Sequence, residues 1–117
     1  MQMETSYGIT MPKELTESAR SLEHLGISEL AWNWKSAIKA IEFLSNNNCA
    51  ILGGDVYDLN DDELNVTSDS WYFNKSEARS DQDYLIESSK RAITYINQYH
   101  ARNGEDFYYS IVSNKIR

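Results

Sequence analysis

The sequence predicts a single α+β domain: a small mixed or antiparallel sheet of three to four strands, with helices packed mainly on one face. Three observations lead there. Apolar residues recur at helical spacing over 28–46 and again over 81–102. A continuous apolar run at 49–53 ends in Gly53-Gly54, and residues 106–112 alternate with the two-residue period of a half-buried strand. The 117 residues are 41% hydrophobic and 12% aromatic, enough to bury one core without staples, and no linker or internal repeat divides 1–117.

Residues 1–12 read as an irregular lead-in. Pro12 suits the start of a first helix with Leu15, Ala19 and Leu22 as its apolar stripe, ended by Gly26. Ser28 is a good N-cap for the second helix, and Ile27 before it can staple against Trp32. Leu30, Trp34, Ile38, Ile41 and Leu44 then share one face, and Asn46-Asn47-Asn48 stops the helix. The run 49–53 reads as a buried strand that continues to Val56 and Tyr57 beyond a bulge at the glycines. Residues 58–69 read as a polar loop and 70–74 as a second strand, with Trp71 and Phe73 on one face and Tyr72 on the other. Ser80 with Asp83 opens the third helix. Its stripe is Leu85, Ile86, Ser89, Ala92, Ile93, Ile96 and Tyr99, with Ser89 and Ala92 small enough for close approach to a sheet, and Asn103-Gly104 ends it. In the final strand Phe107, Tyr109 and Ile111 face one way, Tyr108 and Ser110 the other. Trp34, Ile38, Ile41, Leu52, Ile93 and Ile96 are the expected core.

Eleven basic against eighteen acidic residues leave a net charge of −7. Phosphate binding needs clustered Lys and Arg, so nucleic acid is not an expected partner, whereas a basic protein is. No apolar run is long enough to span a membrane and the N-terminus lacks the pattern of a signal peptide, so a cytoplasmic location and no membrane partner are expected. The single cysteine, Cys49, sits in the apolar run as a small hydrophobe.

Candidate chemistry is sparse. His24 and His100 stand near predicted helix ends, neither has Cys or His at ligand spacing, and there is no phosphate-binding glycine loop or nucleophile elbow. No catalytic residue, metal or cofactor is expected. The alternative is a small-ligand-binding domain or enzyme with a site near Asp55, Tyr57 and His100. Asp58, Asn60 and Asp62 imitate the start of a calcium loop, but Glu63 stands where its glycine is needed and Asp69 where its bidentate Glu is needed.

The acidic segment carries more. Between Lys39 and Lys75 there is no basic residue, yet Asp55, Asp58, Asp61, Asp62, Glu63 and Asp69 crowd into 55–69. Such a loop either steers a basic partner through its field or is simply solvated. Tyr57 or Tyr72 beside it would be the aromatic anchor of an interface. Gly53-Gly54-Asp55 is either a strand-end bulge, with Asp55 accepting backbone hydrogen bonds, or a bare-backbone contact surface.

The segment AILGGDVY at 50–57, the WY pair at 71–72, and a serine-containing helix ending YINQY at 95–99 together resemble the immunity protein 40 family. The helix WNWKSAIKAIEFL at 32–44 is consistent with it, and the resemblance spans 28–112. It implies an α+β immunity domain encoded beside a polymorphic toxin, binding the cognate toxin domain and blocking it without catalysis or cofactor. Leu52, Gly53, Gly54, Asp55, Val56, Tyr57 and Trp71 match the family motif. Asp55, Tyr57, Asp58, Asp61, Asp62, Glu63, Asp69 and Tyr72 are the candidate toxin-binding residues.

Overall fold

The longest apolar stretch of the chain becomes the middle of the sheet. In the computed structural model, which describes residues 10–116, the elements are α1 (Lys13–Ser18), β1 (Arg20–Ser21), β2 (Leu30–Asn33), α2 (Trp34–Asn46), β3 (Cys49–Asn60), β4 (Glu63–Tyr72), α3 (Asp81–Asn103), β5 (Phe107–Ser110) and β6 (Val112–Lys115). β3 pairs with β4 along one edge and with β6 and then β5 along the other, every pairing antiparallel. The order is β1-β2-β5-β3-β4, with β6 beside the first half of β3. The described residues therefore hold an antiparallel sheet of six strands, where three to four were expected.

The three unforeseen strands are β1, inside the segment read as the first helix, β2, and β6, which follows a break at Ile111 in the strand read over 106–112; β3 and β4 are also longer than expected. Residues 58–69 are not a loop. They belong to a β3–β4 hairpin closed by Asp61 and Asp62, both left-handed at φ 52° and 61°. Aspartate tolerates that conformation because its short carboxylate can bond locally. Leu59 and Leu64 pair across this hairpin, an alternation hidden among charged neighbours. Residues 30–33 are strand β2 rather than the first turn of α2. Ala31 and Trp32 are both buried, on opposite faces of the sheet. The helix N-cap is Asn33, whose side chain accepts from the Ser36 N–H at 3.0 Å, not Ser28. The first helix also ends early, at Ser18, and Gly26 (φ 75°) closes the short 3-10 turn Glu23–Leu25 instead.

α1, α2 and α3 cover one face, where Ile41, Ile51, Val56, Ala92, Ile96 and Tyr109 are sealed from solvent. Ile41 and Ile96 are buried as their spacing predicts, while Trp34, Ile38, Leu52 and Ile93 are half-buried at the margin. α3 is framed by the expected caps: the Ser80 hydroxyl accepts from the Asp83 N–H at 3.1 Å, and Gly104 follows the last turn at φ 91°. The small residue that meets the sheet is Ser88, one position before Ser89. Its hydroxyl accepts the Ile51 N–H at 2.9 Å, standing in for a strand where β4 has already ended. The other face holds a smaller cluster, Leu22, Ala31, Tyr57 and Leu64, flanked by Tyr108.

Candidate interaction surface

Gly53 and Gly54 occupy adjacent rows of the sheet and serve opposite faces. Gly54 pairs with Trp71, whose indole lies over it on the helix side and stacks on Tyr95 of α3 at 5.0 Å. A Cβ on Gly54 would collide with the Ser110 carbonyl oxygen and the Trp71 ring; one on Gly53 would collide with the Trp71 carbonyl oxygen. Both glycines are thus demanded by packing. The aromatic chain continues from Tyr95 to Tyr99, which meets Phe107 and Tyr109 edge-on.

Asp55 follows on the open face, away from the helices. Among the described residues its carboxylate accepts no backbone hydrogen bond. Its own N–H donates to the Ser110 hydroxyl at 3.2 Å, and the side chain stays exposed.

The two tyrosines proposed as anchors part company. Tyr57 is 3% exposed and belongs to the second cluster, and its hydroxyl is pushed above the usual tyrosine range by burial. It therefore holds the fold and offers no surface. Tyr72 is 77% exposed.

The six carboxylates of 55–69 also disperse, because a strand sends alternate side chains to opposite faces. Asp69 turns to the helix side, where it accepts the Tyr99 hydroxyl at 2.7 Å. Burial, reinforced by that carboxylate, pushes Tyr99 up to about 12. Asp58 is half-buried opposite Phe107. Asp61, Asp62 and Glu63 stand at the hairpin tip, but Arg20 reaches Asp62 at 3.2 Å and His24 lies 3.9 Å from Glu63. The basic partner missing from the local sequence is supplied by β1. Among the described residues Asp55, Asp58 and Asp61 form no ion pair.

His100 is not brought together with Asp55 and Tyr57. His100 is stacked on Trp34 at 3.7 Å, and the Trp34 indole donates to Asn97 at 2.7 Å, on the helix side of the sheet from Tyr57. Burial raises the Cys49 thiol, the opposite of what a reactive thiolate needs. Among the described residues no three His, Cys, Asp or Glu side chains are grouped to hold a metal ion.

A family model described as immunity protein 40 matches residues 21–113. The chain belongs to the immunity protein 40 family. No curated protein and no solved structure matches it. The match begins at β1 and so includes the Leu22 segment that closes the second cluster, seven residues before the resemblance read from the motifs. Membership makes an immunity protein acting against a toxin the general role and suggests a non-enzymatic one.

On this immunity domain the exposed part of the open face joins Tyr72, Asp55 and the family-motif glycines to three residues the sequence did not single out, Ser70, Val112 and Glu29. Val112 and Tyr72 pair with Gly53 from its two sides, both exposed, at 41% and 77%. Leu52, Gly53, Gly54, Asp55, Ser70 and Trp71 complete a shallow depression of about 260 Å³ between them. Glu29, one residue before β2, is close enough to Asp55 to feel its charge. Val112 was legible only as the end of the last strand. Glu29 was hidden by the misassigned start of α2.

Proposed function

We propose that this family member binds a cognate bacterial toxin domain and neutralises it by protein–protein contact, in the cytoplasm, with no cofactor and no turnover. The family match over 21–113 carries the reading. The charge of −7 supports a basic toxin surface as the partner. The hairpin-tip carboxylates Asp61, Asp62 and Glu63, with Asp55 and Asp58 behind them, steer its approach. Tyr72 is the exposed aromatic on the same sheet.

The test is co-expression with the toxin encoded beside it, scored by growth and by co-elution of the two proteins at a fixed ratio. Growth rescue with a stable complex is expected. Rescue without any complex would replace sequestration by another mechanism, and no rescue would remove the function.

A further inference from the structure

The open face of the sheet is uneven. Near Asn60 it is closed by Leu22, Ala31, Tyr57 and Leu64, and the chain spends a whole segment, the 3-10 turn Glu23–Leu25, beside that cluster. Around Gly53, itself buried, Tyr72 and Val112 stay exposed on either side of a shallow depression. There Tyr72, Gly53 and Val112 lie in one row across β4, β3 and β6, and side chains directly opposite each other in a pair share a face. Between that aromatic and that aliphatic wall lies the shallow notch of about 260 Å³, its floor tightly packed because the Trp71 carbonyl oxygen and the Tyr72 Cβ crowd the place a Gly53 side chain would take. Two rows on, Asp55 pairs with Ser70 on the same face. Asp55 and Glu29 have no basic partner among the described residues.

We propose that this notch is the anchor of the toxin interface, and that its occupant is a lysine or arginine side chain of the toxin laid over Gly53, between Tyr72 and Val112, with its charged end at Asp55 and Glu29. The inference rests on the reading of the chain as a toxin-binding immunity protein and adds where, and by what chemistry, the toxin is held. An aliphatic stem suits Val112, and a cation over a tyrosine ring gains from the ring quadrupole. The two carboxylates select the cation. Burial and the Asp55 charge push the Glu29 carboxyl above its usual range, a disadvantage to its charged form that an incoming cation relieves. A second copy of the chain is a poor occupant, because a two-fold contact through this patch sets Asp55 and Glu29 against their own images.

The hairpin tip lies seven residues along β3 from Gly53, roughly 23 Å, within the span of one standard interface, so steering at the tip and anchoring at the notch are compatible.

The experiment measures affinity and dissociation rate for the purified cognate toxin domain with wild type, Tyr72→Ala, the double variant Glu29→Gln/Asp55→Asn, and Ile86→Ser as a control on exposed α3 surface. Unfolding midpoints establish that each variant is folded. Tyr72→Ala should weaken binding about 30-fold or more, mostly through faster dissociation. The double variant should weaken it about 10-fold at low salt, and Ile86→Ser should match wild type. Wild-type affinity in both patch variants, with the toxin still bound, would overturn the notch and leave the proposed function standing. A wild-type chain that does not bind the toxin would remove both. A concentration-dependent dimer abolished by Tyr72→Ala would make a second copy the occupant and overturn the assignment.

Discussion

Replacing Gly54 by alanine asks whether the family's glycine pair is a contact or a packing requirement. The added methyl meets two things at once: the Ser110 carbonyl oxygen of β5 and the Trp71 ring. The carbonyl belongs to the backbone and cannot rotate aside, so β3 and β5 must part by roughly an ångström to restore contact distances. Overpacking of this kind costs about 1–3 kcal/mol, and weakening one of the neighbouring ladder hydrogen bonds adds about 1 kcal/mol. A total near 3 kcal/mol is the expectation. For 117 residues at about 2.1 cal/mol/K each, the unfolding entropy is about 0.25 kcal/mol/K, so the midpoint should fall by about 12 °C. Thermal or urea unfolding followed by circular dichroism measures this directly. Trp71 fluorescence should change as well, because the ring must leave its seat on Gly54. If Gly54→Ala keeps wild-type stability yet abolishes toxin binding, the packing argument is refuted and the bare backbone is a contact surface.

Other consequences can be checked on the same protein. Ser88→Ala leaves the Ile51 N–H buried without an acceptor and should cost about 1–3 kcal/mol in urea unfolding, whereas Ser89→Ala should cost under about 0.5 kcal/mol. Ile41→Ala and Ile96→Ala, at fully buried positions, should each cost about 2–5 kcal/mol, and a near-neutral result would remove them from the core. Tyr99 holds its proton up to about 12, against about 10 in the unfolded chain, so the native state binds more protons between those values. Its contribution to stability is fully present below about pH 10 and is lost as pH rises through about 12; ultraviolet titration of tyrosinate in wild type and Tyr99→Phe isolates it. Converting Asp58, Asp61, Asp62 and Glu63 to Asn or Gln should slow toxin association at low salt and flatten its salt dependence; unchanged association would leave the hairpin tip as merely solvated.

What could be read in advance was whatever local chemistry decides. α3 is fixed by the Ser80 cap, the Gly104 stop and the stripe that buries Ala92 and Ile96, all set by neighbours within a few residues. The core position of Ile41 and the strand character of Cys49, Ile51 and Val56 follow in the same manner. Family membership was also legible, in the AILGGDVY segment and the tryptophan after it. The start of α2 was not, because Leu30 and Trp34 satisfy helical spacing as well as they fit a strand followed by a helix. Only the pairing of Ala31 with Ser110 on β5, about eighty residues away in sequence, makes 30–33 a strand. The site failed for the same reason. Tyr57 and Tyr72 are the same residue type, and what separates them is Leu22, Ala31 and Leu64 arriving over one and not the other. Asp62 looked unpaired until β1 brought Arg20 across forty-two positions. Composition, caps and periodicity determined which elements this chain can form and that it is acidic. Burial of a given side chain, its counter-charge and the faces that stay open were decided by strand register, because each is a property of contacts between segments that no local window contains.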